Sequence, residues 1–404
     1  MSVLLQMELE FSSESVNYRE ELINILKKAW ESGVGKNAAA LYLIHFANYF
    51  LPLITVPYLV RVLGPSHFGL VAFAQGMIAY FSMFVDYGFG LSATRRISIE
   101  RKNLWEVSRI ASSVWAAKCV LCLSAFATLL LLVNSVPKLE ETRALMLILY
   151  GVVFGGALFP TWLFQGMERM FFISAINLGM RSLVLVGIFA LVRQHDDYLV
   201  YAGIISFESL GAGIVGMVIA ITKFKLKPVV PSRRDICKAL REGWNLFLST
   251  ASISLYTAGN AFILGLLTNS TAVGYYSAAE KVVKGVMGIL GPVSQAIYPR
   301  FSKLVIESER QALYWGKRML LIMGGMGGLI SILLFCGAPI IVEGLLGREY
   351  MPSIGVMRLL ALLPLLIGLS NVLGIQIMLP FGSCLLYTSP SPRDLSTSRM
   401  PSSA

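Results

Sequence analysis

The sequence predicts an all-α polytopic membrane protein built from a duplicated helix bundle. Three observations predict it: an apolar composition, ten apolar runs of membrane-spanning length, and an internal repeat. Of 404 residues, 56% are hydrophobic and 14% charged. With the 36 glycines added and the 16 tyrosines removed, the apolar share is roughly 61%, against about 45–50% in soluble proteins. A soluble globule of this size has too few charges to cover that surface, and disorder needs low hydrophobicity. The net charge of +11 suggests nucleic acid in a soluble chain, but cytoplasmic loops in a membrane one.

Runs of about 20 apolar residues span the ~30 Å hydrocarbon core as helices. They fall near 38–60, 69–92, 110–133, 143–166, 171–193, 198–222, 244–268, 274–298, 319–342 and 354–380. The connections after the even-numbered spans hold 18 Lys and Arg, and those after the odd-numbered spans hold five. That bias places the even connections and both ends in the cytoplasm and leaves no need for a nucleic-acid partner.

Residues 1–37 form an N-terminal cytoplasmic segment. They carry six Glu and no basic n-region, unlike a signal peptide. Asn17-x-x-Glu20 predicts a helix cap before an amphipathic stretch on the membrane surface, or else the true start lies at Met7 or later. At the other end, Cys384 to Asp394 reads CLLYTSPSPRD, which resembles the translation of a sequencing adapter. We expect the native chain to stop near Gly382 or Ser383, with 383–404 a foreign tail that packs against nothing.

Phe68-Gly69-x-x-Ala72 before the second span and Val273-Gly274-x-x-Ser277 before the eighth recur at an offset of 205. Two six-helix halves account for this: an N-lobe over 38–222, a basic linker over 223–243, and a C-lobe over 244–382 that lacks its last two helices. Cys119 and Cys122 lie inside an apolar run with no metal-ligand spacing around them, so they are read as packing residues. Gly324-x-x-x-Gly328 and Gly211, Gly213 and Gly216 permit close helix approach or bending.

No phosphate loop, catalytic constellation, metal site or cofactor motif is present. The chemistry therefore rests on charges inside the apolar spans. Lys118 lies ~12 Å into the third span and has no evident partner, which predicts that it faces a cavity or ligand. Arg181 and Glu208 lie ~15 Å deep in adjacent spans and either neutralise each other or face the cavity. Glu280 and Lys284 are an i, i+4 pair, leaving Lys281 as the available cation. Arg358, four residues into the tenth span, either binds substrate or snorkels outward. Asp86 lies near Arg95 and Arg96, which suggests a local ion pair. The set holds five cations (Lys118, Arg181, Lys281, Lys284, Arg358) against three acids (Asp86, Glu208, Glu280), and a positive lumen suits an anionic headgroup such as a pyrophosphate.

Five segments in order complete the reading: ITVPYLVRVLGPSHFGLVAFAQ (54–75), VDYGFGLSATRRIS (85–98), FPTWLFQGMERM (159–170), LGLLTNSTAVGYYSAAEKVVKG (264–285) and YPRFSKL (298–304). Together they resemble the polysaccharide biosynthesis family, and within it the O-antigen flippases of the multidrug/oligosaccharidyl-lipid/polysaccharide exporter superfamily. The resemblance covers roughly 38–382. It implies two pseudo-symmetric helix bundles around a central cavity, with about ten transmembrane helices present of an expected twelve or more. It further implies alternating access and, as partner, an undecaprenyl-pyrophosphate-linked oligosaccharide moved out of the cytoplasmic leaflet. It adds Arg61, in the turn between the first two spans, to the substrate-binding cations. A coupling ion (H+ or Na+), for which Asp86, Glu208 and Glu280 are candidate sites, and pathway partners such as a polymerase and glycosyltransferases follow from it. Two alternatives remain. A drug or cation antiporter of this fold needs exposed intramembrane carboxylates, and a polysaccharide polymerase needs a long outer loop, whereas the longest here is about a dozen residues.

Overall fold

The computed structural model describes residues 34–378 apart from 228, 258, 289–300, 302–303 and 305–308, and for 34–53 the backbone only. The cap at Asn17 and Glu20, the adapter-like tail, and Arg300 and Lys303 of the YPRFSKL segment lie outside the described residues.

The chain begins with α1 (Val34–Asp86), a helix bent at Gly64, where φ is +69°. The first two predicted spans are therefore two helical limbs that meet at this one non-helical residue, a turn tighter than expected. Gly64 supplies the left-handed φ that the turn needs, and Pro65 restarts the helix with a preset φ and no N–H to strand. A second left-handed glycine, Gly88 (φ +75°), separates α1 from α2 (Phe89–Glu100). Then α3 (Leu104–Ser135) starts under an Asn103 cap, whose side chain accepts from the amides of Trp105 and Glu106 at 3.2 and 3.3 Å.

After the short α4 (Pro137–Glu140), the fourth predicted span appears in three pieces: α5 (Arg143–Leu149), α6 (Gly151–Leu158) and α7 (Thr161–Gly166). Pro160 accounts for the last break, since it has no N–H to donate. A helical hairpin follows, α8 (Phe171–Leu191) and α9 (Tyr198–Lys223). Beyond a connection, α10 (Arg233–Thr257) and α11 (Asn260–Leu267) are bent by 52°. Asn269 caps α12 (Ser270–Met287), accepting from the Ala272 amide at 2.9 Å. Last come α13 (Glu309–Ile341), a π-helical turn (Val342–Leu346), α14 (Ser353–Leu360) and α15 (Leu363–Asn371).

Among the described residues seven helices are long and apolar enough to cross a membrane, or eight if α10 and α11 form one broken span. Two of the ten predicted spans fall outside that count: the first lies largely in 34–53, where only the backbone is described, and the eighth runs from α12, which carries three charges in 18 residues, into 289–298, outside the described residues.

The connections gather alternately at two ends of the bundle. At one end, here the far end, the Lys138 ammonium donates to the carbonyls of Leu266 (3.2 Å) and Thr268 (2.7 Å). His67 lies 3.8 Å from Asp196, and Gly64 abuts His195 and Glu349. At the other, basic end, Arg101 pairs with Glu168 (2.5 Å), Arg109 with Asp235 (2.7 Å) and Arg96 with Glu242 (3.3 Å). Of three apolar clusters among the described residues, the two larger match this division. The larger joins Val56–Val85, Cys122–Ala157 and Ile188–Ala202 to Val273–Val283 and Leu334–Ala361, so both halves of the chain share it. The smaller, from Phe89 to Ala239, belongs to the first half and the linker. Cys122 packs in the larger core beside Tyr150, with Sγ 3.7 Å from the phenol oxygen.

Candidate substrate path

The halves meet where the second limb of α1 crosses α12. A Cβ on Gly69 would fall 1.8 Å from the Ser270 carbonyl oxygen, and one on Gly274 would fall 2.0 Å from the Pro65 carbonyl oxygen. Adding 205 to 65 and 69 gives 270 and 274, so each contact is the image of the other. The two helices therefore cross backbone to backbone under a local pseudo-two-fold relation, as small residues allow in a membrane. Ser66 and Ser270 hydroxyls approach to 3.3 Å at the same place. The glycines of α9 serve packing too: a Cβ on Gly213 would meet the Gly155 carbonyl at 2.5 Å.

The intramembrane charges lie within this frame. Lys118, expected to stand free, is only 3% exposed and donates to Asp86 Oδ1 at 2.8 Å and to the Gly156 carbonyl at 3.4 Å. A lysine that deep needs an anion, and the end of α1 delivers one across the α1–α3 packing. The expected partners of Asp86 are corrected by the same contact: Arg96 reaches Glu242 instead, because Gly88 turns α2 away from the end of α1. Asp86 remains 64% exposed, so the pair has a dry end and a wet end.

Arg181 Nε lies 3.6 Å from Glu208 Oε1, joining α8 to α9 as their hairpin suggests. Lys284 meets Glu280 at 2.9 Å, and the Tyr276 hydroxyl donates to the same carboxylate at 3.2 Å. Lys281 makes no ion pair among the described residues; its ammonium sits 4.7 Å above the Phe68 ring, on the opposite side of the crossing. Arg61, exposed beside the bend, donates to the Gly344 carbonyl and so links the halves at the far end. Arg358 is exposed, with its guanidinium 5.5 Å from the Phe335 ring, and makes no ion pair among the described residues.

Lys138 was legible only as one loop cation. It holds the last carbonyls of α11, where a cation also meets the negative end of the helix dipole. Beside it a cavity of about 270 Å³ opens between the halves, lined by Lys138, Glu141, Thr142, Asn269, Ser270 and Phe73 among others. Nothing in a single sequence pairs residue 138 with residue 268.

These features define a multi-pass α-helical membrane protein whose interior carboxylates Asp86, Glu208 and Glu280 are each paired with a cation and whose helices α1 and α12 meet across a glycine crossing. The chain belongs to the polysaccharide biosynthesis protein family, whose model matches residues 34–305. It is 34% identical over 344 residues to a protein of Escherichia coli (strain K12) described as "Putative O-antigen transporter", covering 85% of this chain and 83% of that one. A Shigella dysenteriae protein of the same description is 31% identical over 355 residues, covering 86% of each. No solved structure matches the chain.

Proposed function

We propose that the chain is a transporter, not an enzyme, that moves an undecaprenyl-pyrophosphate-linked oligosaccharide across the bacterial inner membrane by alternating access. The lobes are 38–222 and 244–382, joined by the linker 223–243, with the basic end in the cytoplasm. One observation carries the reading. Each of the three intramembrane carboxylates lies within 4 Å of an intramembrane cation, and Lys281 at the crossing of the halves has no such partner among the described residues. The unspent charge is therefore positive. That suits a pyrophosphate, whose charges must shed water at a cost of several kcal/mol each unless fixed cations offset it. A cation exporter would need carboxylates held open. Lys281 and the half-exposed Lys284 receive the headgroup, and Arg61 lines the far rim. Asp86, Glu208 and Glu280 remain the candidates for coupling to H+ or Na+.

The test is binding to the purified chain in nanodiscs. A polyprenyl-pyrophosphate-linked oligosaccharide should bind, and Lys281→Ala should weaken it by about tenfold or more, as loss of a charge-assisted contact implies. Lys281→Arg should retain most of the affinity. Wild-type affinity in both the Lys281→Ala and Lys284→Ala variants, or preference for an organic cation, would overturn the assignment.

A further inference from the structure

We infer that the connection 224–232 and the first turns of α10 form a docking surface for anionic phospholipid headgroups. Seven basic residues lie between Lys223 and Arg241, and all seven are exposed. Among the described residues none of them makes an ion pair. Asp235 within this stretch and Glu242 just beyond it are engaged elsewhere, with Arg109 at 2.7 Å and Arg96 at 3.3 Å. Among the described residues the positive charge of this surface is thus uncompensated.

The surface is held in place rather than dangling. The Lys227 amide donates to Ser108 Oγ at 3.2 Å and the Val229 amide to Ser112 Oγ at 3.3 Å, pinning the connection to α3. On α10, Ala239 is buried and Ile236 and Leu240 pack against the smaller core, which turns Arg234, Lys238 and Arg241 outward. Between these cations stands an apolar tip. Val230 is 94% exposed, and Trp244, 48% exposed, follows on α10. An exposed valine flanked by lysines and arginines gains nothing from a water-soluble anion. A bilayer surface accepts both parts, the valine and tryptophan at the acyl boundary and the cations against the phosphates. The ends of α9 and α10 fix the connection at that level, since both helices continue into the membrane.

Each cation near an anionic surface contributes about 1 kcal/mol, or roughly fivefold in affinity. The experiment offers the detergent-solubilised chain equal amounts of phosphatidylglycerol and phosphatidylcholine and counts retained lipids by native mass spectrometry. Phosphatidylglycerol should be retained preferentially, and K225Q/K227Q/R233Q/R234Q should lower that preference by at least about tenfold. Val230→Glu, at a position with nothing packed on it, should lower it as well. R193Q/R348Q, at the far end, should not. If the fourfold variant fails to fold, salt decides: the wild-type preference must fade as NaCl rises from 50 to 500 mM, because screening shortens the reach of exposed charges. No preference in the wild type, a preference that survives high salt, or one unchanged in the variants would overturn the assignment.

Discussion

Replacing Gly69 with alanine tests the crossing on which the two halves meet. The added methyl would stand 1.8 Å from the Ser270 carbonyl oxygen, whereas ordinary contact begins at 3.4 Å, a shortfall of 3.4 − 1.8 = 1.6 Å. The obstacle is backbone, so no rotamer change can relieve it and the second limb of α1 must move away from α12. Overpacking of this kind costs about 1–3 kcal/mol. Separation also opens the contacts of Val71, Val273 and Ala278, all nearly fully buried, and a gap of ~1 Å forfeits up to about half of each dispersion well. We therefore expect the upper part of that range, about 2–3 kcal/mol. The same holds for Gly274→Ala, whose methyl would meet the Pro65 carbonyl at 2.0 Å.

Thermal unfolding in detergent should show each variant melting roughly 2–4 °C below wild type, the shift that about 2–3 kcal/mol produces in a chain of this size. The double variant should lose less than the sum, because parting the helices for one methyl makes room for its pseudo-symmetric counterpart. Gly179→Ala is the control: nothing lies within 4 Å of its Cβ, so it should be neutral or slightly stabilising. In parallel, S66C/S270C should form a disulfide, given hydroxyls 3.3 Å apart, and form it more slowly on the Gly69→Ala background. Wild-type melting of both alanine variants together with no cross-link would refute the close crossing.

Asp86→Asn should destabilise the fold by ~1–2 kcal/mol, less than the ~3–5 of a fully buried pair because Asp86 is 64% exposed, and Lys118→Met in the same chain should restore the melting temperature. Failure of that rescue would count against the pair. Lys138→Ala should speed hydrogen exchange of the backbone amides over 264–274 while leaving 110–125 unchanged, since it releases the end of α11; unchanged exchange there would deny Lys138 a structural role. In a version without native cysteines, an impermeant maleimide added outside cells should label Gln194→Cys and miss Val230→Cys, and the reverse would invert the orientation drawn from the basic loops.

Much of the fold was legible because a bilayer leaves few options. Backbone polar groups in hydrocarbon must be satisfied within a helix, so each apolar run is a helix and its ends are turns. Boundaries set by local chemistry were correspondingly close: α8 ends at Leu191 and α9 begins at Tyr198, within a few residues of expectation. The differences are in how tightly the chain turns. The first two spans meet at a single non-helical residue, Gly64, where a longer loop was expected. In α13, Pro339 passes inside the helix and the strain resolves into a π-helical turn at 342–346. Composition cannot distinguish a bent helix from two helices when both conserve the apolar run.

The charges divide by how their partners are separated in sequence. Glu280–Lys284 is a helix-spacing pair and Arg181–Glu208 joins consecutive helices, so both follow from periodicity and a hairpin. Lys118–Asp86 bridges elements with a whole helix between them, and proximity in sequence pointed to the wrong cations. Once placed, the contacts sort in a physically consistent way. The three intramembrane ion pairs each lie within one half of the chain. The contacts that cross between halves have neutral partners: Arg61 on a carbonyl, Lys138 on two carbonyls, Lys281 over a phenyl ring, and Ser66 against Ser270. Separating an ion pair in a low-dielectric interior strands two charges at several kcal/mol each, whereas releasing a cation from a carbonyl or a ring at a wettable seam lets water replace the partner. A rigid motion of one half against the other would thus leave each intramembrane ion pair intact and part Arg61, Lys138 and Lys281 from partners that water or an anionic headgroup can replace.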